Sequence, residues 1–72
     1  VSDPAPVTLK GLANRLKMPR AMVRKIALHD LIQRDQQQRD EQIAVILREH
    51  LAREEDAALR QRIEEHLRKR GG

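Results

Sequence analysis

The sequence predicts an all-α fold of three helices, the first two tightly connected and the third running long toward the carboxy-terminus. Three observations lead there. No Gly or Pro occurs between Arg20 and Arg70, and Gln, Arg, Glu, Leu and Ala, all strong helix formers, dominate that stretch. In the early part of the chain, apolar residues recur at the i, i+3, i+4, i+7 spacing of one helical face. Beyond residue 42 they recur every four residues over most of the remaining chain.

Taken in order, residues 1–7 are a polar, proline-bearing stretch that reads as a loose lead-in. Thr8 is suited to cap a first helix, whose apolar face is Leu9, Leu12, Ala13 and Leu16. Only Lys17 and Met18 remain as a connection before Pro19, a residue suited to a first helical position. The second helix is expected to bury Met22, Val23, Ile26 and Ala27 and to turn Arg20, Arg24 and Lys25 outward. Together these form a helical pair over 8–32. Residues 33–42 are polar throughout, either a hinge or an exposed continuation of helix, and Asp35 followed by Gln38 has capping-box spacing. The third helix is expected over 43–70, with the row Ile43, Leu47, Leu51, Leu59, Ile63 and Leu67 broken at Glu55. The pairs Glu49/Arg53, Asp56/Arg60, Glu64/Arg68 and Glu65/Lys69 would support it at i,i+4. Residues 53–56 carry no apolar side chain, so a bend is expected there.

A chain of 72 residues buries only about 60% of its unfolded surface. Small domains compensate with disulfides, metals or oligomerisation. Cysteine is absent, which removes disulfides, thiolate zinc sites and cysteine nucleophiles together. Oligomerisation remains, and a homodimer is the expectation. Its interface, or that of another protein partner, would be Ile43, Ile46, Leu47, Leu51, Leu59, Ile63 and Leu67.

Charge points to a polyanion. Residues 1–39 hold eight Lys/Arg against three Asp, whereas residues 40–72 hold seven against eight Asp/Glu. No acidic residue lies between Asp3 and Asp30, while Lys10, Arg15, Lys17, Arg20, Arg24 and Lys25 all do. Aromatic residues are absent, which argues against modules that stack single-stranded bases on aromatic rings. No apolar run approaches the roughly 18 residues of a membrane span, and no secretory signal pattern is present. A cytoplasmic, nucleoid-associated setting is expected. The first residue is Val1 in place of an initiator Met, as expected of a chain processed or cut from a longer protein.

Catalysis is not expected. His29, His50 and His66 are spaced too widely for a helical ligand pair and read as surface or interface histidines. The cluster Glu54, Glu55 and Asp56 has no nucleophile or metal-binding partner. Ser2 and Thr8 have no base near them in sequence, and no cofactor is implied. The basic run Arg68, Lys69 and Arg70 fits a helix carboxy-terminus, where cations are favoured anyway.

Residues 6–26 resemble the helix-turn-helix of bacterial DNA-binding regulators. Leu12, Ala13, Leu16, Met18, Val23 and Ile26 occupy that family's pattern of apolar and small positions, and Lys17 stands where the family usually has Gly. The resemblance implies that the second helix enters the major groove of double-stranded DNA. Arg20, Arg24 and Lys25 would face base edges, Arg24 among the residues suited to guanine, and Lys10, Arg15 and Lys17 would meet phosphates. Replacing Arg24 by Ala is then expected to lower specific affinity by about 1–3 kcal/mol. Leu16-Lys17-Met18-Pro19, a helix to Ile32, a polar break and residues 41–51 also resemble a ribbon-helix-helix repressor or antitoxin. That resemblance implies a strand over residues 14–18 with Arg15 and Lys17 exposed, in a dimer that again binds DNA. Val7-Thr8-Leu9-Lys10 with Leu12-Ala13 is similar to the amino-terminal subdomain of bacterial translation initiation factor 2. The function expected is a regulatory or DNA-organising protein. The alternative is a helical protein–protein interaction module, an adaptor or a subdomain of a larger and ribosome-associated protein.

Overall fold

A computed structural model of the chain describes residues 8–71; the lead-in expected over 1–7 lies outside the described residues. Among them there are four helices and no strand: α1 (Leu9–Arg15), α2 (Ala21–Gln37), α3 (Glu41–Leu51) and α4 (Ala57–Gly71). The expected all-α class is present with one helix more than expected. The strand over 14–18 is not formed, because Arg15 and the residues before it complete α1 and Leu16 is buried against the other helices.

Local chemistry sets each boundary. Thr8 caps α1, its Oγ1 accepting the Gly11 N–H at 3.1 Å. Helix α2 starts at Ala21, after an extended Arg20, so Pro19 lies just outside the helix. The polar stretch 33–42 is both things the sequence allows: helix to Gln37, then a break, then α3. Asp40, in extended conformation, caps α3 by accepting the Gln42 N–H at 2.9 Å. The capping box expected at Asp35 is absent because the Asp35 side chain points into the protein.

The long third helix is two helices. Asp56 accepts the N–H groups of Ala58 and Leu59, at 2.9 and 3.3 Å, and so starts a new helix after the apolar-free residues 53–56. The four-residue apolar row survives this break as the inner faces of two helices folded on one another. Of the four expected i,i+4 pairs, Glu65–Lys69 forms, at 3.5 Å and exposed to solvent.

Helix α2 packs against all three others, with α1 mainly on α2 and α4 mainly on α3. Leu12 and Leu16 from α1 and its end, Ala27, Leu28, Leu31 and Ile32 from α2, Ile43 and Leu47 from α3, and Leu59 and Ile63 from α4 make one core. This overturns the expected interface. Ile43, Leu47, Leu59 and Ile63 are buried within the chain, and Ile46, Leu51 and Leu67 pack partly buried against the same cluster. The inward face of α2 is also rotated from the expected one. Ala27 is buried, but Met22 is 72% and Ile26 61% exposed.

Leu31 is fully buried on the helix that touches every other. Leu31→Ala is expected to cost about 2–5 kcal/mol, a large share of the stability of a domain this small. Urea denaturation followed by circular dichroism reads the loss. Val45→Ala, at a half-exposed site on α3, should stay within about 0.5 kcal/mol.

Candidate nucleic-acid interface

The surface expected to meet DNA is built from α1, the connection 16–20 and the first half of α2. What holds that connection is a side chain assigned to the opposite role. Arg24 donates from one guanidinium nitrogen to the carbonyl oxygens of Met18, at 2.8 Å, and Pro19, at 2.7 Å. Its Nε meets Glu54 at 3.1 Å, and the side chain is only 14% exposed. Lys17 N–H and Met18 N–H return to the carbonyls of Asn14 and Arg15, both at 3.1 Å. No described residue, Lys17 and the glycines included, takes positive φ. The turn therefore does without the left-handed residue that Gly supplies elsewhere, and the Arg24 guanidinium closes it instead.

Arg24 is thus a structural residue, and its expected role against base edges is corrected. A guanidinium committed to a carboxylate and two carbonyls has no free fork to present to guanine. Its partner Glu54 comes from the connection between α3 and α4. That carboxylate is buried and also accepts from His50 Nε2 at 2.6 Å and from the Asp56 N–H at 3.1 Å. Burial alone would raise the pKa of Glu54. The bonds from Asp56, His50 and Arg24, with the Arg24 charge, overcome that and lower it.

A second buried carboxylate repeats the arrangement at the other end of α2. Asp35 accepts from Arg70 at 2.6 Å, from His66 Nε2 at 2.7 Å and from the Asp40 N–H at 2.8 Å. Here too burial opposes ionisation, yet Arg70, Asp40 and His66 outweigh it and hold the carboxyl at about 2. In both cases the histidine N–H must be the donor, since an ionised carboxylate only accepts. His50 and His66 are therefore interior residues, against the surface or interface positions expected. His29 is exposed, its Nδ1 accepting from Arg62 at 2.9 Å.

The other five expected contacts are exposed: Lys10, Arg15, Lys17, Arg20 and Lys25. None makes an ion pair among the described residues. They do not share one patch. Lys10 borders α3 at Glu41, Gln42 and Val45. Lys17 lies on the connection, near Arg53 and Glu55. Arg20 stands at the start of α2, and Lys25 follows one turn on, beside Met22 and Arg62. Asp56 borders Lys25 and Met22, with its carboxylate turned onto α4 N–H groups. On α2, Ala21, Met22, Lys25, Ile26, His29 and Gln33 are all exposed and share one helical face. Met22 and Ile26 were missed as surface residues; the acid-free run around them was the only available signal, since apolar side chains ordinarily read as core.

No group of His, Cys, Asp or Glu among the described residues could hold a metal ion, and no described helix is long and apolar enough to cross a membrane. No known protein family, curated protein or solved structure matches this chain.

Arg24→Ala is expected to destabilise the fold by about 2–3 kcal/mol, because it strips a buried carboxylate of its cation and two turn carbonyls of their donor. Thermal denaturation at fixed protein concentration measures this, and Lys25→Ala is the exposed control. Asp35 gives a pH dependence of definite sign. Its carboxyl titrates lower in the folded chain than at its ordinary 3.8. Its contribution is complete above that value and is lost as pH falls toward about 2. Chemical denaturation between neutral pH and pH 2 should show this loss, and Asp35→Asn should flatten it while lowering stability at neutral pH.

Proposed function

We propose that this chain binds double-stranded DNA with the hairpin of α1 and α2, as a small regulatory or DNA-organising module. The observation that carries the reading is the charge on that surface after folding. Arg15, Lys17, Arg20 and Lys25 stand exposed and unpaired around the connection and the first turns of α2. Of the carboxylates near them, Glu54 is buried and neutralised by Arg24, and Asp56 caps a helix. Exposed Glu49 and Glu55 lie on the Lys17 side, away from α2's outer face.

Neutralising phosphates with such cations releases counterions and supplies affinity without regard to sequence. The reading draws on the helix-turn-helix resemblance, in which the start of α2 would meet the groove; the ribbon-helix-helix alternative loses its contacting strand, since residues 9–15 are helix. Lys10, on the α3 flank of α1, falls outside this footprint. The expected homodimer, if DNA is bound by two copies, needs a surface other than the apolar row now inside the core.

A second reading, a docking module for another protein, draws on exposed Met18, Met22 and Ile26. The two separate on binding to duplex DNA. Fluorescence anisotropy with a labelled duplex should give an affinity that falls with salt at a log–log slope of about −3.6, from four phosphate contacts. Removing Arg20 and Lys25 together should bring the slope to about −1.8. Absence of salt-dependent binding would favour the docking reading.

A further inference from the structure

Resting on the DNA reading, we infer that the outer face of α2 reads the methyl groups of thymine through Met22 and Ile26. Because Glu54 and the turn carbonyls hold the Arg24 guanidinium, α2 cannot roll to present it. A helix turns about 100° per residue, so Met22 and Ile26, each two positions from Arg24, point to roughly the opposite side. Their 72% and 61% exposure agrees with that geometry. Arg24, one of the side chains suited to guanine, faces inward, and two large apolar ones occupy the opposite, outer side of α2.

Those two side chains offer nothing to the hydrogen-bonding edges of guanine, cytosine or adenine. A thioether or alkyl group laid on such edges would strip them of water without replacing it. In the major groove one base feature is apolar, the C5-methyl of thymine. The rim of the stripe also selects. Lys25, exposed, and Arg62, half-buried, are cations beside it, and Asp56 is committed to its helix. A second copy of the same face would bring these cations against one another. A polyanion that carries apolar groups between its charges matches both the centre and the edge.

The experiment uses the chain as it is, with a short fluorescein-labelled A·T-rich duplex and the same duplex in which deoxyuracil replaces thymine. That exchange deletes the methyls and keeps every base pair. Loss of two buried methyls is expected to weaken binding by about tenfold. In Met22→Ala/Ile26→Ala, both sites being exposed, the thermal melt should be unchanged and the two duplexes should bind alike. Equal affinity of the unaltered chain for both duplexes, with steep salt dependence retained, overturns the methyl reading and leaves DNA binding in place. Discrimination that persists in the double variant overturns the assignment to these residues. Absence of binding to every duplex overturns the DNA reading and this inference together.

Discussion

Two buried carboxylates hold this small protein in shape. Asp35 and Glu54 each gather an arginine, a histidine and the N–H of a turn residue. Each arginine comes from far along the chain. Arg70, near the end of α4, reaches the turn between α2 and α3; Arg24, near the start of α2, reaches the turn between α3 and α4. The pair of clamps therefore pins α2 at both ends. For a chain without cysteine, such clamps fix which way the helices face more than they add net stability, since desolvation offsets much of a buried ion pair.

That orientation determines the surface. Leu28, Leu31 and Ile32 go inward with Arg24 and Asp35, so Met22, Ile26 and the unpaired Lys25 go outward. The same event changes the electrostatics. Glu54, one of an acidic cluster in the sequence, is neutralised inside, and Arg24, expected to face outward, is removed from the surface with it. What remains around the α1–α2 connection is a smaller set of cations than the sequence offered, with less carboxylate to oppose them.

The break at 52–56 has a similar reach. Left straight, residues 43–70 would have carried one long apolar row with nothing in the chain to cover it. Folded at Glu54 and Asp56, the row closes on itself: Ile43 and Leu47 meet Leu59 and Ile63 in the core shared with α2. The surface that had pointed to a homodimer is consumed in making the chain's own interior.

Local propensity and spacing were enough for much of this. The helical class, the Thr8 cap, the apolar face of α1, a short connection after it and the existence of a weak point near residue 55 all follow from interactions within a few positions of one another. Such interactions are written in sequence order. The expected contact residues Lys10, Arg15, Lys17, Arg20 and Lys25 were legible as exposed cations for the same reason. The role of Arg24, the burial of Asp35, His50, Glu54 and His66, and the outward turn of Met22 and Ile26 were not. Each depends on a partner about thirty residues away or on which of two helix faces another helix covers. A charge pattern cannot say whether an arginine will meet water, phosphate or a buried carboxylate; only the packing of α2 against α3 and α4 decides that.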